Sequence, residues 1–156
     1  MYLLIKLLHV TAVIAFLGNI TTGLFWHAHA ARSGDPRLLH HAVDGIIRSD
    51  RWFTLPGVVV IIVTGVLASL HAHLGLLRTP WIAWAIGLFA FSGVLYVWQV
   101  APLQEKLRTV AREGLQSGTF DHGRYHAIAR RWEFWGALSL LAPVVALVLM
   151  VLKPGS

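Results

Sequence analysis

The chain contains no cysteine, and only 13% of its 156 residues are charged. Without cysteine there is no disulfide, no thiolate to hold haem iron or an iron–sulfur cluster, and no thiol nucleophile. Acidic residues are scarcer than basic ones, seven against thirteen. The scarcity is also uneven along the chain. Residues 7–31, 52–77, 79–104 and 134–152 hold no Asp, Glu, Lys or Arg. A bilayer core about 30 Å thick is crossed by roughly 20 apolar residues at 1.5 Å each, so every one of these runs is long enough to span it. There is no nucleotide-binding loop, no Ser-His-Asp arrangement that the sequence supports, and no carboxylate pair inside the apolar runs. Hydrolase and ATPase chemistry therefore has no residues to rest on.

What is abundant is apolar surface, with 56% hydrophobic residues. The pattern predicts one all-α domain over residues 1–156, an integral membrane four-helix bundle with short loops. Its helices are expected over about 3–30, 52–72, 80–101 and 125–153. The first run is longer than the apolar core of a cleaved signal peptide, and Lys6 is its only early positive charge, so it is read as a first helix despite the small residues Ala28 and Ala30. Ser33-Gly34-Asp35-Pro36 is a turn signal. The polar stretch 37–51 that follows has apolar residues near helical spacing and suggests a short surface helix. Pro56 and Pro80 stand in first turns, where the missing N–H costs least. Pro102 is expected to kink helix 3, which continues as an amphipathic cytoplasmic extension bearing Leu103, Leu107 and Val110.

The net charge of +6 reads as topology rather than as nucleic-acid affinity. Ten of the thirteen basic residues fall in the loop segments after helices 1 and 3. The positive-inside rule makes that side cytoplasmic and both termini external, as expected of a multi-pass protein of a bacterial inner membrane. The seven tryptophans are assigned to interfacial belts, with Trp26, Trp52, Trp98, Trp132 and Trp135 toward the basic side and Trp81 and Trp84 toward the other.

Nine histidines are the natural metal ligands in a chain without cysteine. His9 stands alone in an apolar run, about 9 Å below the outer end of helix 1. An ionisable group at that depth is costly and marks a functional candidate. Its alternatives are a neutral imidazole bonded to a neighbouring helix, through Thr11, Thr64 or Ser69, and an axial haem ligand. His71, at the outer end of helix 2, is a candidate second ligand or an interfacial residue. His73 points the other way. His27 and His29, His40 and His41, and the i,i+4 pair His122 and His126 are read as solvated interfacial side chains. Arg51 and Arg131, beside Asp50 and Glu133, are read either as snorkelling cations at charge-paired helix starts or as guanidinium groups for haem propionates. Asn19 is expected to glue helices together.

Taken in order, Lys6-Leu7-Leu8-His9-Val10, Ala31-Arg32-Ser33-Gly34-Asp35-Pro36, Asp50-Arg51-Trp52-Phe53-Thr54-Leu55-Pro56-Gly57, Trp98-Gln99-Val100 and Met150-Val151-Leu152-Lys153-Pro154 resemble a family of small predicted bacterial integral membrane proteins of unknown function. More distantly, the layout is similar to the membrane-embedded haem-dependent protoporphyrinogen oxidases, which also open with a Lys-x-x-His helix and end near Lys-Pro. That resemblance implies b-type haem with His9 as the haem-associated histidine. The lysine those oxidases carry after the tryptophan opening helix 3 is absent after Trp81, so what carries over is haem binding rather than the oxidation itself. Two functions are expected to compete. One is a haem protein for electron transfer or porphyrin-related redox chemistry, with a redox partner. The other is a cofactor-free assembly module or homo-oligomer packing through Gly18, Gly57, Gly65, Gly87 and Gly93. The lipid bilayer is a partner in both, and nucleic acid in neither.

Overall fold

A computed structural model describes residues 1–154. It is entirely helical among those residues: α1 (Tyr2–Ser33), α2 (Pro36–Ser49), α3 (Leu55–His71), α4 (Pro80–Leu95), α5 (Ala101–Ser117) and α6 (His122–Leu152). A single wide turn of π-helix, Asp50–Thr54, joins α2 to α3, and a second, Tyr96–Val100, joins α4 to α5. Four continuous rods result, spanning Tyr2–Ser33, Pro36–His71, Pro80–Ser117 and His122–Leu152, each long and apolar enough to cross a membrane.

Two expectations need correction here. The stretch 37–51 is not a separate surface helix, and the second spanning helix does not begin at Trp52. Leu39, Val43 and Ile46 form one buried face of α2 that packs inward, against α1 and α5. The chain then runs straight into α3. Pro102 likewise does not break its rod. In both rods the π turn ends two residues before a proline, at Thr54 before Pro56 and at Val100 before Pro102. A proline ring collides with the carbonyl four residues back in an α-helix. A locally widened turn moves that carbonyl away and lets the rod continue.

The rods of 36 and 38 residues are roughly 54 and 57 Å long, well beyond a hydrocarbon core about 30 Å thick. The excess lies on the basic side, as α2, α5 and the start of α6. There the packing is that of a water-soluble bundle. Leu39, Val43, Leu107, Val110, Ala111, Tyr125, Ala129 and Trp132 make a contiguous buried core, while Arg108 pairs with Glu105 at 2.7 Å and Arg48 with Asp44 at 2.9 Å on the outside. Asp35 caps α2 by accepting from the Arg37 N–H at 2.8 Å, and Asp121 caps α6 through the Arg124 N–H at 2.8 Å.

The membrane half is built differently. Leu3, Leu4, Val59, Ile62, Trp84, Phe91, Val148 and Val151 are exposed to what must be lipid. Helix α1 packs on α3 and α4 packs on α6. Among the described residues no Cα of α3 approaches one of α4 or α6 within 8 Å. The ring contact of Phe16 with Phe89, 5.6 Å between centroids, joins α1 to α4 between the two pairs. Of the tryptophans, Trp26, Trp52, Trp84 and Trp98 are exposed, whereas Trp81 and Trp132 are buried against other helices. Trp132 lies on the stripe of α6 that also carries Tyr125, Ala129, Gly136 and Ser139, all facing the bundle.

Candidate functional site

Asp50 sits where the soluble-like half meets the membrane half, and its side chain is 94% buried by its 6% exposure. It continues the buried stripe of α2, four residues after Ile46, and so points inward. Four neutral groups donate to its carboxylate. Asn19 Nδ2 at 3.2 Å and Thr54 Oγ1 at 2.7 Å reach Oδ1, and Tyr96 OH at 3.2 Å and Gln104 Nε2 at 2.9 Å reach Oδ2. Asn19 also donates to Thr54 Oγ1 at 2.9 Å. The partners come from α1, from both π turns and from α5, so one carboxylate ties three rods together. An ionised carboxylate has about four lone-pair sites, and all four are occupied. No cation pairs with Asp50 among the described residues, which corrects its reading as a charge-paired helix start. Asn19 is more than packing glue, since it donates into this network.

A cavity of about 30 Å³ adjoins the carboxylate, lined by Asn19, Asp50, Tyr96, Gln104, Trp132 and Ser139 together with apolar neighbours. It is of the size that one water fills. The indole N–H of Trp132 has no acceptor among the described residues.

A second polar group lies one layer further from the membrane. His27, expected to be solvated, is completely buried. Its Nε2 stands 3.1 Å from Tyr125 OH and its Nδ1 stands 3.2 Å from Glu133 Oε1. The contact with Glu133 is within ion-pair distance but out of line for a hydrogen bond. The ring meets Trp132 edge-on at 4.7 Å. Glu133 therefore faces a histidine rather than the arginines beside it in sequence.

His9 is held in the membrane half. Its Nδ1 lies 3.1 Å from Ile61 O and 3.1 Å from Thr64 Oγ1 on α3. A carbonyl oxygen only accepts, so Nδ1 carries the proton and Nε2 keeps its lone pair. Thr64 donates its own hydroxyl to Val60 O, which leaves its oxygen free to accept from His9. Nε2 has no partner among the described residues. A Cβ on Gly65 would stand 3.2 Å from His9 Cε1, so glycine there lets the ring lie against α3.

The other candidates are not gathered round His9. His71 is exposed at the end of α3, its Nδ1 3.0 Å from Leu67 O of its own helix. Arg51 and Arg131 are exposed on the opposite side of the membrane half. Arg51 precedes Gly65 by 14 residues, roughly 21 Å along the rod. His122 and His126 stack at 6.4 Å between centroids, and among the described residues no three His, Asp or Glu side chains converge as a metal site. Sequence reading did not find the Asp50 network. A signal was available: Asp50 is the last acid before Glu105, four residues before Thr54, and the partners Asn19, Tyr96 and Gln104 are among the polar residues interrupting apolar runs.

These features define an integral, multi-pass membrane protein with four helical spans. The family described as "Predicted integral membrane protein (DUF2269)" matches residues 3–154, and the chain belongs to it. No curated protein matches the chain. No solved structure matches it either.

Proposed function

We propose that this is a small bacterial inner-membrane protein that binds b-type haem through His9 and serves electron transfer or porphyrin-related redox chemistry. The observation supporting this reading is the state in which α3 holds the imidazole. A histidine that ligates a metal through one nitrogen commonly donates its other N–H to a carbonyl, which fixes tautomer and ring direction. His9 has that arrangement, with Ile61 O and Thr64 Oγ1 on Nδ1 and nothing on Nε2. Gly65 gives the ring its room. Haem, if bound, would supply one-electron chemistry at its iron, and His9 would hold it through Nε2. A second ground is the resemblance to haem-dependent protoporphyrinogen oxidases read from the sequence alone, in Lys6-Leu7-Leu8-His9 and Lys153-Pro154. In this reading His9 is the ligand that α3 orients, and His71, Arg51 and Arg131 remain the candidates for a second ligand and for propionate partners.

The reading places the termini outside and the basic half in the cytoplasm, following the charge asymmetry. A cofactor-free homo-oligomer is the competing reading. Gly18, Gly87 and Gly93 face outward with nothing within 4 Å, as a helix–helix contact between copies would use them.

The test is a visible spectrum of protein expressed with haem supplementation and purified in mild detergent. The expected result is a stoichiometric Soret band with sharp reduced α and β bands. His9→Ala should lose the bands while keeping its helical circular dichroism and elution volume. A flat visible spectrum from folded wild type would overturn the haem reading and favour the oligomer.

A further inference from the structure

A concavity away from His9 runs outward from Asn19, one of the donors to Asp50. It is a groove of about 590 Å³ between α1 and α2, within the range of small-molecule sites. It follows one face of each helix, over residues 19–30 and 38–49, a length of roughly 16 Å at 1.5 Å per residue. Its lining is mostly apolar, with Gly23, Gly45 and Ile46 among its walls. A Cβ on Gly45 would meet nothing within 4 Å, so the space beside it is open rather than filled by a neighbour.

We propose that this groove binds an anionic phospholipid of the adjoining leaflet, with its phosphate at the basic end and its apolar part along Gly23, Gly45 and Ile46. Two observations select this occupant. The first is level. Trp26 and Leu38 line the groove and are exposed, and Phe25 beside them is exposed too. Phe25 and Trp26 stand near the end of the first apolar run, and exposed aromatic side chains there mark the level at which hydrocarbon gives way to headgroups. The second is charge. His29 and His41 stand on opposite walls. One turn further on each helix comes an arginine, Arg32 after His29 and Arg37 before His41. Neither arginine forms an ion pair among the described residues. The acids nearby are engaged elsewhere: Asp35 caps α2, and Asp44 pairs with Arg48. Two imidazoles in the walls of the groove, and two arginines without an ion pair one turn beyond them on the same helices, complement a phosphodiester joined to acyl chains.

The test uses the full chain in detergent, offered palmitoyl-oleoyl phosphatidylglycerol or phosphatidylcholine with the same chains, with retention read by native mass spectrometry. The expected result is one retained phosphatidylglycerol per chain and at least tenfold weaker retention of phosphatidylcholine. Gly45→Trp, whose Cβ would meet no protein atom within 4 Å and whose indole would occupy the groove, should reduce phosphatidylglycerol to the phosphatidylcholine level. Arg32→Gln and Arg37→Gln should each weaken retention about fivefold, and these variants carry the test if Gly45→Trp does not fold. Equal retention of the two lipids, or retention indifferent to all three substitutions, overturns the proposal. Displacement of the lipid by millimolar inorganic phosphate overturns it in favour of a free-anion site. A Soret band lost in Gly45→Trp but kept in His9→Ala overturns it in favour of haem in the groove, and would also separate the fate of this site from that of His9.

Discussion

At the scale of the residue, the strongest constraint is the carboxylate of Asp50. A buried charge without a partner costs far more than folding can supply, so it persists only when its lone pairs are bonded. Asn19, Thr54, Tyr96 and Gln104 do this with neutral donors. Asp50→Asn keeps the shape but replaces one oxygen by an NH2 that faces two donors. It should destabilise the protein by about 3 kcal/mol, from lost charge-assisted bonds and stranded donors. Thermal unfolding in detergent measures this, and a shift no larger than that of an exposed control such as Glu113→Gln would show that the network carries little. The network was only half legible in the sequence. Its members are visible as polar interruptions of apolar runs, and Asp50 and Tyr96 each follow a buried residue of their helix, Ile46 and Ser92, by four, but their convergence depends on how the three rods pack against one another. His9 was legible because an isolated imidazole in an apolar run has few uses. Its bond to Thr64 was among the expected pairings, whereas the burial of His27 followed only from α6 crossing α1 at Tyr125 and Trp132.

At the scale of the element, the helices were read well and their joints poorly. The four apolar runs appear as four spans because length and hydropathy dominate. The amphipathic extension after helix 3 appears as α5, since Leu103, Leu107 and Val110 bury one face. The same logic makes α2 inward-facing, but an amphipathic helix beside a membrane reads the same whether it lies on lipid or on other helices, so its partner was not legible. The tight joint between α1 and α2 can be tested directly. Gly34 ends α1 at φ 67°, a left-handed conformation that other residues resist, and Asp35 caps the next helix. Gly34→Ala and Asp35→Ala should each cost about 1 kcal/mol. A shift in unfolding midpoint for Asp35→Ala but none for Gly34→Ala would mean that α1 frays before Gly34 without penalty.

At the scale of the whole molecule, two solvents divide the labour. On the basic side, burial from water drives association, and α2, α5 and α6 enclose a continuous core. In the membrane, lipid is as apolar as leucine and gives helices no such drive, so contact depends on small residues and hydrogen bonds. The bonds are there, between Ser92 Oγ and Ser139 O at 2.7 Å for α4 and α6, and between His9 and α3. Cohesion should therefore be concentrated outside the hydrocarbon. Leu107→Ala, at a side chain 1% exposed, should cost 2–5 kcal/mol as a core cavity does, roughly. Val148→Ala, on the lipid face, should stay within about 0.5 kcal/mol. Equal losses at the two sites would contradict the division.

The same division gives a test of orientation for which this chain is unusually well suited, because it contains no cysteine. A single introduced thiol is then the only reactive one. Thr119→Cys lies in the joint between α5 and α6, beyond the buried core of the basic half. Gly75→Cys lies in the joint between α3 and α4, at the other end of the rods. The rods are long enough that these two positions stand on opposite sides of any bilayer the protein spans. With the basic half inside, a membrane-impermeant maleimide added to intact cells should label Gly75→Cys and spare Thr119→Cys, and both should react after the cells are opened. The reverse pattern would put the termini inside and turn the groove of α1 and α2 toward the outer leaflet. Labelling of both in intact cells would be incompatible with a fixed orientation and would point to dual insertion, in which the excess of Arg and Lys in the α1–α2 and α5–α6 segments fails to decide the topology.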